Sequence, residues 1–460
     1  MALEPVDLGH YLNRPIACEC GRTHFAGIEA VEISDGAMGK LADLIRRGGY
    51  QKPFIVADKN TAKIAGGQVL EILFTQGMSY SSFVFDDAAL SPDEDALGRL
   101  LINFDADCDL IVAVGSGTIN DISRFFSHRL GLPYFIVATA PSMDGYASSV
   151  APLLKNNLKT TFECHVPKAI IADRTILAEA PKDMIAAGFG DVVGKYTALT
   201  DWKLSAIING EYYCERVAKL TRESLERTIR LREGIAAGDR GAIGELMETL
   251  ILSGVAISYV ENSRPASGSE HHLAHFWEMR LLWEGGDPIL HGTGVGIGTV
   301  SILRLYQMLL GDELDPRTFL HASALEKDQW ALGIRKAFLK GAEEVLALEE
   351  RVKKNDPALC QKRRMVIAEH WDEILRTLTT VPSPSRVQEY LQTVGAPFEP
   401  AQAGLGLRLV FDALVYAKEI RPRYTILQLL GDLGLLEHYA QQLIKAGDAH
   451  ERQGEGGLRQ

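Results

Sequence analysis

Between Pro53 and Ala172, short runs of β-branched and aromatic residues alternate with segments of helical period, and this alternation constrains the fold more than any other feature of the chain. The strand candidates are residues 54–57, 82–85, 110–114, 135–137 and 169–171. Strand and helix in strict succession is the pattern of a parallel α/β sheet. After about Pro181 the β-branched runs disappear, and Ala, Leu, Glu, Lys and Arg recur at helical period over residues 182–204, 242–260, 270–283 and 296–310. The expected architecture is an N-terminal α/β domain with a parallel Rossmann-like sheet, followed by an all-α helical domain. The change of texture sets the boundary near residues 177–181, giving 1–178 as the nucleotide-binding domain and 179–446 as the helical one. Residues 447–460, polar and Gly-rich, read as a frayed, disordered tail.

A chain of 460 residues is long enough for two cores. With 46% hydrophobic and 23% charged residues it lies far from the composition of disordered chains. Lys and Arg number 48 against 60 Asp and Glu, a formal net charge of -12, so no general basic field draws the protein to nucleic acid or to an anionic membrane. An anionic substrate would need a local basic pocket. The start, Met1-Ala2-Leu3-Glu4-Pro5, has neither the basic segment nor the apolar run of a signal peptide, which leads to the expectation of a cytoplasmic protein. Six cysteines in such a chain are expected to be reduced thiols rather than a disulfide framework. Cys18-Glu19-Cys20-Gly21 with His24 looks like half of a zinc knuckle, but no second pair follows at suitable spacing, and the group reads as structural or incidental.

The apolar run 110–114 leads directly into Gly115-Ser116-Gly117-Thr118-Ile119-Asn120-Asp121, after which residues 122–130 have helical character. Strand, Gly-rich turn and helix is a phosphate-binding order. The glycines let the backbone approach a pyrophosphate, and unpaired amides at the helix start face its negative charge. A tight structural turn would use the same residues. Asp58 ends the first strand of this half, where a carboxylate could accept from an adenosine ribose, or could cap a helix before Thr61. A second Gly-rich segment, Gly294-Val295-Gly296-Ile297-Gly298, follows helices instead of a strand and reads as close helix packing.

Three segments of the second half carry residues suited to a divalent ion. Gly190-Asp191-Val192-Val193-Gly194-Lys195 offers a carboxylate, Glu270-His271-His272-Leu273-Ala274-His275 offers imidazoles, and Leu290-His291-Gly292 offers one more. His271 and His275 are four apart and share a helix face; His272 points elsewhere. One carboxylate with two imidazoles leaves a coordination position open, as a Lewis-acid site requires. Taken singly, each residue also has an ordinary account, Asp191 as a first-turn charge and any one histidine as a satisfied core or surface group.

Four segments carry a family resemblance: 114–121, beginning Val114-Gly115-Ser116-Gly117; 139–149, with Ala140-Pro141-Ser142-Met143-Asp144-Gly145; 190–196; and Arg264-Pro265-Ala266-Ser267-Gly268-Ser269-Glu270-His271. Over roughly residues 10 to 430 the chain resembles the sn-glycerol-1-phosphate dehydrogenases in their bacterial form. They belong to the wider group of dehydroquinate synthase, glycerol dehydrogenase and iron-type alcohol dehydrogenases. The resemblance implies a dehydroquinate synthase-like fold, with Asp191, His271 and His291 on a zinc or nickel ion. It implies that Gly115, Gly117, Thr118, Thr139, Ser142 and Ser148 line NAD(H) or NADP(H), with Asp58 near the adenosine ribose. Ser116 and Asn120 of the Gly-rich turn are counted with the cofactor residues. Asp144 and His275 would face the substrate and act in catalysis.

The implied reaction is the reversible reduction of dihydroxyacetone phosphate to sn-glycerol 1-phosphate. Arg264 and Lys195 are the basic residues nearest the metal ligands in sequence and the candidates for the substrate phosphate; bracing the Pro265 turn and pairing with Asp191 are their ordinary alternatives. A homodimer is the expected assembly, with no nucleic-acid or membrane partner. Competing readings are a polyol dehydrogenase acting on an unphosphorylated substrate, a dehydroquinate-synthase-like lyase, and an inert nucleotide-binding protein. An acid at Asp58 favours an unphosphorylated ribose, yet Lys59 beside it could tolerate a phosphate. The helices beyond about Glu313 lengthen the chain relative to archaeal relatives.

Overall fold

The computed structural model describes residues 8–87, 90–156, 158–287, 289–320 and 326–456, with side chains described to residue 446. Among the described residues ten strands occur in chain order: β1 (Ile16–Ala17), β2 (Thr23–His24), β3 (Ala30–Ser34), β4 (Pro53–Asp58), β5 (Ser81–Phe85), β6 (Leu110–Gly115), β7 (Tyr134–Ala138), β8 (Val150–Lys155), β9 (Leu158–Glu163) and β10 (Ala169–Asp173). Six form one parallel sheet in the order β3-β10-β7-β6-β4-β5. All five strands expected from the sequence are present. β3 was not expected. It is an edge strand whose residues are all half-buried and include Glu32, so it lacks the apolar run that marks its neighbours. β8 and β9 form a separate antiparallel hairpin, turned at Asn156 with φ 49.

The sheet reverses its winding beside β4. β5 pairs with one side of β4, while β6, β7 and β10 continue from the other. In such sheets a crevice opens outside the carboxyl ends of the two strands at the reversal. Here those ends are Asp58 and Gly115, because Ala57 pairs with Val114. β6 is buried at every position and holds this point in the core.

The chain divides into two compact units, and they do not part at residues 177–181. One comprises the chain up to Val192, Cys214–Ala266 and Thr393–Ala396; the other comprises Val193–Tyr213, Ser267–Gln392 and the chain from Pro397. The physical reason lies in the helix Arg240–Val260, which packs on the first unit despite its helical-half texture. A Cβ added at Gly254 would lie 2.8 Å from the carbonyl carbon of Ala147, and Ser258 Oγ donates to Ala147 O at 3.1 Å. Helical period thus identifies the element but not its partner.

Among the described residues the second unit is helical. Its centre is the pair Ser269–Glu284 and His291–Gly311. The Gly-rich segment is close packing, as expected: a Cβ at Gly294 would lie 3.1 Å from Ala274 Cβ, and one at Gly298 would lie 2.7 Å from Glu270 O. Further along, Arg363 clamps Asp432 with two short bonds, Nε to Oδ2 at 2.6 Å and Nη2 to Oδ1 at 2.7 Å. The final helix, Leu436–Gly456, extends through most of the segment read as a tail, and residues 457–460 lie outside those described. Among the described residues two helices, Arg240–Val260 and His291–Gly311, are long and apolar enough to cross a membrane, but 89% and 72% of their most apolar stretches are buried in the protein.

Candidate active site

In the first unit the Gly-rich turn follows β6 and opens the helix Gly117–Leu130. Gly115 is needed sterically, since a Cβ there would lie 2.7 Å from Ile119 Cβ. Its carbonyl accepts from Thr139 N at 3.1 Å, which joins the turn to the end of β7. Ser116, Gly117 and Thr118 are half-buried at the helix start, with no side-chain cap on its amides. That is the surface an anionic group would meet. Asn120 does something else: fully buried, it donates from Nδ2 to Gly145 O at 3.2 Å and braces the next segment.

Asp58 is a helix cap. Its Oδ1 accepts from Asn60 N at 2.8 Å and Thr61 N at 2.9 Å, and Thr61 Oγ1 accepts from Asp58 N at 3.0 Å. The carboxylate therefore performs the local role, which leaves Oδ2 for any ribose.

The segment Pro141–Ser148 is fixed from two sides. Arg124, fully buried, donates to Asp121 Oδ1 and Val150 O, both at 2.9 Å, and to Gly145 O and Tyr146 O. The Tyr146 hydroxyl, which burial keeps neutral, donates to Ala140 O at 2.5 Å. From the other side the helix Lys182–Val193 approaches so closely that a Cβ at Gly188 would lie 1.7 Å from Pro141 O. One turn later, buried Asp191 accepts from Asp144 N through Oδ2 at 2.9 Å. Asp191 and Asp144 are thus brought together in one unit. Ser142 is buried in this segment, and Ser148 Oγ bonds its own turn at Val150 N and O, both 3.1 Å. Arg264 is 3% exposed, and its backbone N–H donates to Asn262 Oδ1 at 3.0 Å.

In the second unit, helix spacing and the Gly-rich contact gather three histidines. Ring centroids of His271 and His291 are 5.1 Å apart, those of His275 and His291 are 5.1 Å apart and stacked, and those of His271 and His275 are 6.0 Å apart. Each ligand candidate has a carboxylate at Nδ1: Glu270 Oε1 at 2.7 Å for His271, and Glu278 Oε1 at 2.7 Å for His291. An Nδ1–H to carboxylate bond fixes the tautomer whose Nε2 carries the lone pair, the usual support for a metal-bound imidazole. His275 Nδ1 is 3.4 Å from Glu278 Oε2. Ligand atoms of His275, Glu278 and His291 all lie within 4.8 Å of one another. His272 is fully buried.

Glu270 is held from three directions, accepting from Gly268 N at 2.6 Å and Thr197 Oγ1 at 2.6 Å besides its bond to His271. Burial raises its pKa, partly opposed by these bonds and by Lys195, a fully buried cation of the same unit. Asp201 lies behind it, accepting from Ser269 N and Ile426 N, each at 2.7 Å. Burial, and then the charge of Glu270, push Asp201 up to about 7. The start of the histidine helix is thereby fastened by buried carboxylates.

Sequence reasoning missed Arg124, Glu270 and Glu278 as supports. Arg124 carries no local signal, because all but one of its described partners lie ten or more residues away. Glu278 was legible: it lies three after His275 and seven after His271, hence on the same helix face.

Residues 32–181 match the family model described as iron-containing alcohol dehydrogenase. The chain is 33% identical over 435 residues to the glycerol-1-phosphate dehydrogenase [NAD(P)+] of Bacillus licheniformis, covering 94% of this chain and 96% of that one. It is 33% identical over 416 residues to the enzyme of the same name from Pyrococcus furiosus, covering 90% and 96%. Among solved structures, a probable glycerol dehydrogenase from Sinorhizobium meliloti superposes with TM-score 0.58 at 14% identity, covering 93% of this chain and all of that one. Glycerol dehydrogenase from Schizosaccharomyces pombe gives 0.57 at 15% identity, with 92% of each covered. These structural likenesses establish the fold: a parallel α/β unit and a largely helical one.

Proposed function

The chain belongs to the glycerol-1-phosphate dehydrogenase family, and on that premise we propose that it reduces dihydroxyacetone phosphate reversibly to sn-glycerol 1-phosphate, using NADH or NADPH and a divalent ion. The observation that carries the site assignment is the pair of carboxylate-supported imidazoles, Glu270 with His271 and Glu278 with His291.

The donor set fits an ion. Two imidazoles of fixed tautomer, with Asp191 as the third ligand, form a nitrogen and oxygen set that suits zinc or nickel and leaves room for substrate oxygen. When bound, the nicotinamide supplies the hydride and the ion supplies positive charge where the ketone oxygen becomes an alkoxide. The protein's own work is positioning. His275, steadied through Nδ1 by Glu278, exchanges a proton with the substrate oxygen at Nε2. Asp144, on the segment that Arg124 and Gly188 fix in place, holds substrate hydroxyls. Gly115, Ser116, Gly117 and Thr118 present helix-start amides to the cofactor pyrophosphate, and Thr139, Ser142 and Ser148 line the nicotinamide side. Asn120 supports that turn through Gly145. Asp58 accepts from the adenosine ribose through Oδ2, which favours NAD. Arg264 and Lys195 carry the charge that receives the substrate phosphate. The enzyme works in the cytoplasm as a homodimer.

The test is to incubate the metal-loaded protein with NADH and dihydroxyacetone phosphate, follow the reduced nicotinamide, and identify the enantiomer with a stereospecific coupling enzyme. Oxidation that yields sn-glycerol 1-phosphate and stops with a chelator is the expected result. Turnover of glycerol but not of the phosphate ester would move the reading to a polyol dehydrogenase; turnover without net change in NADH would move it to a lyase.

A further inference from the structure

The half-knuckle in the N-terminal sequence has its missing ligand almost two hundred residues away, in the same unit. β1 and β2 pair antiparallel, Ile16 with His24 and Ala17 with Thr23, and the turn between them carries Cys18 and Cys20. The turn is closed by Cys18 N to Arg22 O at 3.1 Å and Gly21 N to Cys18 O at 3.0 Å, with Gly21 in the left-handed region at φ 82. Cys214 reaches the same point from the position just before the helix Glu215–Arg230.

Three distances define the cluster. Cys18 Sγ lies 3.7 Å from Cys214 Sγ, Cys214 Sγ lies 3.3 Å from His24 Nε2, and Cys20 Sγ lies 3.5 Å from His24 Nε2. All four ligand atoms lie within 4.8 Å of one another. A tetrahedral zinc with ordinary bond lengths has its sulfurs about 3.8 Å apart and its sulfur and nitrogen about 3.5 Å apart. The observed edges fit that tetrahedron, whereas a disulfide needs its sulfurs at about 2.05 Å. His24, 1% exposed, has Nδ1 2.9 Å from Tyr259 O and its ring stacked on Tyr259, which leaves Nε2 aimed at the sulfurs. A backbone carbonyl at the far ring nitrogen is the usual outer support of a zinc-bound histidine.

We propose that Cys18, Cys20, His24 and Cys214 bind one zinc ion per chain in a closed structural site. Four protein ligands fill a tetrahedron and leave no position for substrate, so the ion ties the β1-β2 hairpin to the start of the helix Glu215–Arg230 and takes no part in turnover. Three soft thiolates select zinc over the hard cations that oxygen ligands prefer. Binding converts three thiols to thiolates and releases three protons. The resulting negative charge sits at the start of a 16-residue helix, where the helix dipole favours it.

The experiment replaces the bound metal of the full-length chain, purified with reductant, by cobalt(II) and records the near-ultraviolet region, where thiolate-to-cobalt charge transfer absorbs. Imidazole and carboxylate ligands give no such band, so the proposed Asp191, His271 and His291 set cannot produce it. The band is expected in the wild type and in His271→Ala, and is expected to be lost in Cys18→Ser combined with Cys20→Ser. If that double variant does not fold, titrating the wild type with a mercurial reagent decides: one metal equivalent should leave as three thiols react. A wild type without the band while its thiols are reduced, or no metal release on titration, overturns the proposal. So does a Cys18–Cys214 disulfide found by mass spectrometry in protein kept reduced.

Discussion

Glu278 Oε1 lies 2.7 Å from Nδ1 of His291, and the other oxygen of the same carboxylate lies 3.4 Å from Nδ1 of His275. One side chain therefore orients a proposed metal ligand and a proposed proton carrier. Replacing Glu278 by Gln keeps its shape and removes its charge, so imidazole basicity falls. Metal affinity is expected to drop roughly 10- to 100-fold, the usual effect of losing such a support. Competition with a chromophoric chelator measures it; an unchanged affinity would refute the role given to Glu278.

Gly188 is a position where no side chain fits, since a Cβ would lie 1.7 Å from Pro141 O. The clash is with backbone, which cannot rotate away. Gly188→Ala is expected to cost roughly 1–3 kcal/mol, the range for overpacked cores, and to shift the segment that carries Ser142 and Asp144. Urea unfolding gives the first quantity and kcat the second. A variant as stable and as active as the wild type would mean that the helix does not fix this segment.

Two roles for Asp58 separate by choice of residue. Serine can still cap Asn60 and Thr61 but offers a ribose far less, whereas alanine does neither. Asp58→Ala is expected to lose about 0.5–2 kcal/mol of stability, and Asp58→Ser little. Both should raise the KM for NADH. If only stability responds, and only in the alanine variant, Asp58 is a cap and nothing more.

His165 gives a pH dependence away from the active site. Burial, and then the charges of His128, Arg124 and Lys168, hold its pKa down to about 4 from the ordinary 6.5, with Nε2 2.9 Å from Ser127 Oγ. Between these values the unfolded chain binds the proton and the folded chain does not. Stability is therefore full above 6.5 and declines as pH falls toward 4. Tm from thermal melts should fall more with pH across that interval for the wild type than for His165→Gln. Parallel curves would show that His165 does not contribute.

Local sequence determined most of the elements around the sites. The five apolar strand runs, the Gly-rich turn after residues 110–114, and the helix that places His271 and His275 on one face all follow from side-chain period and turn chemistry, which act over a few residues. The nearness of His271 to His275 and the close helix packing of Gly294 and Gly298 were legible for the same reason. The partner of each element was not. Arg240–Val260 has the composition of the helical half yet packs against Ala147, because an apolar helix surface carries no label for the surface it will cover.

Other supports were decided by tertiary structure. Arg124 becomes the brace of the Pro141–Ser148 segment only when β7 and the β8 hairpin close around it. Cys18, Cys20 and His24 supply three of the four ligands of the proposed zinc site within seven residues of sequence; Cys214 supplies the fourth, 190 residues beyond His24, once the helix Glu215–Arg230 is seated. A metal site needs its donors within a few ångströms in space, and spacing along the chain reports that only when all the donors share one turn or one helix. Here the chain-local part was visible in the amino acids, and the rest required the fold.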